Sequence, residues 1–243
     1  MNRLRSIAFS IAFPLWTGIC CIALAFGPLL PRKGALQMAL LWVRSVAWVE
    51  RHVLGLHYRV IGLENLPAHG SFIVAAKHQS TFETMKLHML LNDPAIVLKK
   101  ELLKIPIWGP YLKSTGMIPI DRGAGRKAVG PMIEASQKAK EEGRPIVIFP
   151  QGTRIPVGVK RSYKAGVATL YKNLDLPILP LALNSGLFWP KHGRKYGGTV
   201  TFSFLPPIEP GLEPESALSL LEQRLESETD RLVAAEAGER AHS

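Results

Sequence analysis

The chain has 243 residues, enough for one ordinary domain with an appendage, and carries 30 Lys and Arg against 19 Asp and Glu, a net charge of +11. That charge suits anionic lipid or phosphorylated small molecules, whereas the scattered basic residues, without a long basic run or a zinc-finger or RNA-binding signature, argue against nucleic acid. Its two cysteines, Cys20 and Cys21, are sequence neighbours, which excludes a disulfide framework and fits a reducing compartment.

No charged side chain occurs from Ile7 to Leu30, a stretch longer than the roughly 20 residues needed to cross a bilayer. Arg3 and Arg5 precede it, and Arg32 and Lys33 follow it, so flanking charge leaves the orientation open. A signal peptide is the competing reading, because Ala23-Leu24-Ala25 resembles a cleavage site. Palmitoylation of Cys20 and Cys21 competes with a role as plain apolar filler. Leu36 to Val53 is amphipathic, with Leu40, Leu41, Val43, Val46, Ala47 and Trp48 set among Arg44, Glu50 and Arg51. Trp42 and Trp48 suit a membrane interface. Together the two stretches fit either a simple span or a helical hairpin lying in one leaflet; the alternative for the second is a helix packed on the domain.

From His57 the pattern changes to short strands alternating with helices. Strands are predicted at 57–62, 72–76, 95–99, 117–120, 145–149, 177–184 and 198–204. Helices are predicted after Ser80 to about Leu91, from Lys100 to near Pro106, at 109–116 as a short helix or loop, at 126–142 and at 164–173. Pro214 opens a last helix to about Ala235, with Leu218, Leu221, Leu225 and Leu232 on one face and a frayed tail from Glu236 to Ser243. This order predicts an α/β fold: a mostly parallel sheet flanked by helices, with an N-terminal apolar helical membrane anchor. The division expected is 1–55 for the anchoring helices, 56–210 for the α/β domain and 211–243 for the C-terminal amphipathic helix and tail.

Polar residues collect at three strand ends. The strand 72–76 runs into Lys77-His78, and Ser80 with Glu83 three residues on reads as a capping box. A carboxylate on the first helical turn could orient the His78 imidazole as a base; the bland reading is that Glu83 only caps and His78 only fills a polar turn. Ser80 suits capping better than nucleophilic attack. Ile118-Pro119-Ile120 ends in Asp121-Arg122, and Val147-Ile148-Phe149 ends in Pro150-Gln151-Gly152-Thr153-Arg154. Ligands of α/β sheets collect at such carboxyl ends. Two arginines there would grip a phosphate, and Gly152 would let the backbone approach it. The alternative for either arginine alone is an ordinary surface charge. The seven histidines are scattered without ligand spacing, so no metal site is expected.

These segments resemble the glycerolipid acyltransferase family, the 1-acylglycerol-3-phosphate acyltransferases. His78-Gln79-Ser80-Thr81-Phe82-Glu83 matches its His-x4-acid motif, Gly116 to Arg122 its Gly-x-Ile-Pro-Ile-Asp-Arg-like segment, and Phe149 to Arg154 its Phe-Pro-Glu-Gly-Thr-Arg motif. Leu176 to Leu181 matches its apolar proline-rich strand, and Lys99 to Leu102 with Pro106 and Gly109 is also similar. The resemblance covers roughly Tyr58 to Gly186. Two positions depart from it: Glu83 replaces the usual aspartate and Gln151 the usual glutamate, and a neutral amide can bond a phosphate but cannot act as acid or base.

The resemblance implies acyl transfer from acyl-CoA or acyl-ACP, as co-substrate and not cofactor, to the 2-hydroxyl of 1-acyl-sn-glycerol 3-phosphate. It implies His78 as base and Glu83 as its orienter. Arg122, Gly152, Thr153 and Arg154 would hold the phosphate, with Gln151 beside them and Lys100 or Lys77 adding field. The partners implied are a lysophospholipid acceptor, the thioester donor and a membrane bilayer, with the catalytic domain on the cytoplasmic side of a bacterial inner membrane. The rival readings are the same chemistry on a lyso-ornithine lipid and a catalytically silent lipid-binding membrane protein.

Overall fold

A computed structural model describes residues 2–241. Helix α1 (Asn2–Ala23) is followed by a tight turn and α2 (Arg32–Val49), which continues into a wide helical turn, Glu50–Leu54. Then come β1 (Leu56–Ile61), β2 (Ile73–Ala76), α3 (Phe82–Leu90), β3 (Ala95–Lys99), α4 (Trp108–Ser114), β4 (Ile118–Ile120) and α5 (Val129–Glu141). The chain closes with β5 (Ile146–Ile148), α6 (Gly166–Leu174), β6 (Ile178–Leu183), β7 (Gly198–Phe204) and α7 (Pro214–Ala241). The frayed tail expected from Glu236 is helical to Ala241; residues 242–243 lie outside the described residues. Ala234, Ala235 and Ala237 are strong helix formers with no breaker before Gly238, which explains the extension.

The strands form one seven-stranded sheet in the order β1-β7-β6-β2-β5-β3-β4, parallel throughout except between β6 and β7. β2 lies at its centre, paired with β5 on one side and β6 on the other. Strand alternation splits the apolar side chains between two faces. Val74 and Ala76 join α1, α2, α3 and Phe202 in one core. Ile73 and Ala75 join Met132, Val167, Leu170, Leu221 and Leu225 of α5, α6 and α7 in the other.

The N-terminal helices form a hairpin and also pack on the sheet layer. Phe9 of α1 is fully buried, its ring edge-on to Trp189, and Val43, Val46 and Val49 of α2 are buried in the same core. The outer stripe of α1 is apolar and exposed: Leu4, Ile7, Ile11, Leu15, Ile19 and Ile22. Arg3–Leu29 is long and apolar enough to cross a membrane. Trp48 points outward as an interfacial residue would. Trp42 does not: its ring packs on Trp108 of α4, at 4.2 Å between centroids.

A buried ion pair joins this helical layer to α3. Glu50 and Lys86 are each 1 % exposed, and the Lys86 ammonium bonds the Glu50 carboxylate beneath the rings of Phe82 and Tyr58. Burial pushes the Glu50 carboxyl up to about 7, against the opposing pull of Lys86. Removing one partner strands a charge without compensation. Lys86→Met is therefore expected to cost about 3–5 kcal/mol in denaturant unfolding, most of it recovered in Lys86→Met/Glu50→Leu. The folded chain holds the Glu50 proton above the ordinary value of 4.5, so this residue's contribution to stability falls as pH rises from 4.5 to about 7. Glu50→Gln is expected to remove that part of the pH slope in melts across this window.

Candidate active site

The turn from β2 into α3 is built around one carboxylate. Glu83 is completely buried on the first turn of α3. Its Oε1 accepts the N–H groups of Gln79 (2.8 Å) and Ser80 (2.6 Å) and the Nδ1–H of His78 (2.8 Å). Its Oε2 accepts the hydroxyl of Ser185 at 2.7 Å. A buried carboxylate needs such donors to remain ionised, and a helix start favours negative charge. The predicted capping box is half realised: Glu83 reaches back to the Ser80 N–H, while buried Ser80 takes the Phe82 N–H (3.1 Å). Glu83 thus meets the first turn of the helix and orients the histidine ring with the same oxygen.

With Nδ1–H given to Glu83, Nε2 is the basic nitrogen of His78. The ring stacks on Phe149, centroids 4.1 Å apart, and is open enough to line a groove. The groove has a volume of about 630 Å³, with Met85, Ile96, Leu98, Leu112 and Met117 as its apolar wall and Arg122, Thr153, Arg154 and Lys191 as its polar part. Arg154 donates to Thr81 Oγ1 at 2.8 Å, which holds its guanidinium beside the His78–Glu83 turn. The loop carrying it is pinned in turn by Ile155 N–H to the His78 carbonyl, 2.8 Å. A second imidazole in the groove, His88, is pushed down to about 4 by burial.

The other expected residues fall elsewhere. Gln151 is 1 % exposed, does not line the groove, and its amide has no partner among the described residues. Gly152 is in the left-handed region (φ +68°), and its N–H is taken by the Phe149 carbonyl at 2.9 Å. The turn requires the glycine, and the Lys164 chain lies across it, where a β-carbon would sit 3.1 Å from Lys164 Cδ. Gly152 lines a second pocket shared with Arg122, behind Phe149. Lys100 bonds the Asp121 carboxylate on the exposed rim and does not line the groove. Lys77 is buried and bonded to Glu226. Ser185, the Phe149 stack on His78 and the Thr81 contact with Arg154 carry no local sequence signal. Ser185 follows β6, the predicted apolar proline-rich strand, and only the pairing of β6 with β2 brings it to Glu83.

Residues 57–184 match the family described as Acyltransferase, and the chain belongs to that family. It is 37 % identical over 202 residues to the 1-acyl-sn-glycerol-3-phosphate acyltransferase of Pseudomonas aeruginosa, covering 82 % of this chain and 78 % of that one. It is 31 % identical over 173 residues to the protein of the same name from Helicobacter pylori, covering 68 % of this chain and 73 % of that one. The crystal structure of the 1-acyl-sn-glycerophosphate (LPA) acyltransferase of Thermotoga maritima has the same fold, with a TM-score of 0.74 over 96 % of each chain at 24 % identity.

Glu83→Gln keeps the side-chain volume but replaces a charged acceptor of four donors with an amide. It is expected to lower kcat about 100- to 10,000-fold in an acyl-transfer assay, the range of a lost base. Ser185→Ala removes one hydrogen bond to the carboxylate. It is expected to lower kcat about tenfold, the order of one hydrogen bond to a charged group, with the melting temperature reporting any loss of fold.

Proposed function

We propose that the protein moves a fatty acyl group from the thioester of acyl-coenzyme A or acyl carrier protein to the 2-hydroxyl of 1-acyl-sn-glycerol 3-phosphate, giving phosphatidate in phospholipid synthesis. The observation that carries this reading is the shared groove. An imidazole oriented by a buried carboxylate opens onto the same groove as Arg122 and Arg154. The names of the relatives support the acceptor.

In this reading His78 Nε2 takes the proton of the 2-hydroxyl as that oxygen attacks the thioester carbonyl carbon. Glu83 stabilises the imidazolium that forms. The tetrahedral oxyanion collapses, the carbon–sulfur bond breaks, and the imidazolium returns its proton to the leaving thiolate. The thioester is already activated, so no acyl-enzyme is required. Arg122 and Arg154, with Thr153, hold the phosphate, and the apolar wall of the groove accommodates acyl chain. The exposed stripe of α1 attaches the protein to a membrane, and Trp48 sits at its interface. The thioester donors and reduced cysteines favour the cytoplasmic face of a bacterial inner membrane.

Membranes bearing the full chain are expected to form phosphatidate from labelled donor and 1-acylglycerol 3-phosphate. Product from lyso-ornithine lipid alone would move the acceptor and recast both arginines. No product from any pairing, with the protein folded and membrane-bound, would favour the silent lipid-binding reading. Arg154→Ala is expected to raise KM for the phosphate-bearing acceptor roughly 10- to 100-fold, with a smaller change in kcat, as loss of a charged hydrogen bond predicts.

A further inference from the structure

Lys77 and His78 are consecutive at the end of β2, so their side chains leave on opposite faces of the sheet. His78 enters the groove. Lys77 turns toward the α5–α7 layer, is 3 % exposed, and its ammonium bonds Oε1 of Glu226 on α7. The same oxygen accepts the phenol of Tyr163 at 2.8 Å. Tyr163 is itself buried, and burial together with Glu226 pushes its phenol up, so it remains a protonated donor.

Tyr163 stands at the far end of the loop whose near end carries Thr153 and Arg154. The next residue, Lys164, donates its N–H to the Pro150 carbonyl at 2.9 Å, closing that loop on itself. The Lys77 N–H is fixed to the Leu181 carbonyl of β6, also at 2.9 Å. One carboxylate oxygen of α7 therefore holds the residue before His78 and the loop that presents Arg154. It belongs to a helix outside residues 57–184, the part of the chain that matches the family. Paired with Glu226 on the opposite face, the Lys77 charge is neutralised there and adds little field to the groove.

Building on the acyl-transfer reading above, we propose that Glu226 is a positioning residue for the reaction: it clamps the Lys77–His78 strand end and the Arg154 loop in register with one another. The two arms of the clamp have separable signatures. The Tyr163 arm sets where the phosphate-binding loop lies and acts on acceptor binding. The Lys77 arm sets where His78 lies and acts on the chemical step.

The test is steady-state kinetics on membranes carrying the full chain, normalised to folded protein. Tyr163→Phe is expected to raise KM for 1-acylglycerol 3-phosphate about three- to tenfold with kcat nearly unchanged, as loss of one hydrogen bond predicts. Lys77→Met/Glu226→Leu removes both charges together, so neither is left buried alone. It also leaves the Tyr163 phenol without its acceptor, so it is expected to lower kcat about 10- to 100-fold, the cost of a small misplacement of a catalytic group, and to raise KM as Tyr163→Phe does, with the melting temperature reporting the folded fraction. Kinetic constants within about twofold of wild type in the folded double variant would overturn the clamp, as would an unchanged KM in Tyr163→Phe should the double variant fail to fold. Limited proteolysis of the 151–164 loop gives a readout independent of activity: faster cleavage in Tyr163→Phe supports the clamp, and an unchanged rate overturns it. Wild-type membranes that transfer no acyl group to any acceptor would instead overturn the reading of the reaction, leaving the proteolysis arm to decide the clamp.

Discussion

A single buried carboxylate, that of Glu83, imposes the geometry on which the remainder of the centre depends. Removing a charge from water is costly unless donors replace the lost hydration. Here two backbone N–H groups, one imidazole and one hydroxyl do so, and they come from two places in the chain, residues 78–80 and Ser185. The turn after β2 must fold tightly for Gln79 and Ser80 to reach it. α3 must begin where it does for the carboxylate to sit at its positive end. β6 must pair with β2 for Ser185 to arrive from behind. The orientation of His78 is a by-product of these demands. Glu83, one methylene longer than the aspartate usual in the resembled motif, makes all four of these contacts.

The sheet gives the two sides of the site different tasks. The even positions at the end of β2 face the helices of the N-terminal half and the groove; the odd positions face α5, α6 and α7. The His78–Glu83 pair and the groove lie on the first side. The second side holds the ion pair of buried Lys77 with half-buried Glu226. A comparable pair, Glu50 and Lys86, ties the hairpin layer to α3 one turn beyond Glu83. The turn that carries His78 is thus braced by ion pairs whose carboxylates come from opposite ends of the chain, Glu50 and Glu226.

Much of this was legible in the sequence, and the gaps have physical causes. Alternating short apolar runs and capped helices gave the element order, because strand burial and helix capping are local properties of the chain. The His78–Glu83 pair was legible because five residues span one turn. Ser185, 102 residues from Glu83, was not, since only strand pairing creates the contact. Gln151 looked like a ligand from its neighbours, yet a turn has no periodicity to say which side chains point inward, and it is buried. Trp42 looked interfacial because helix amphipathicity reveals a face and not its occupant, which is Trp108. Lys100 and Lys77 looked like added positive field, but sequence does not show the carboxylates of Asp121 and Glu226 that engage them.

The central claim is that His78, oriented by Glu83, deprotonates the attacking hydroxyl. The most direct measurement is the rate of phosphatidate formation from labelled acyl-coenzyme A and 1-acylglycerol 3-phosphate by membranes with wild type or His78→Ala at matched, folded protein levels. The account predicts a fall in kcat of about 100- to 10,000-fold with little change in KM for either substrate. A variant that retains wild-type kcat would contradict it, and would place the base at another residue of the groove.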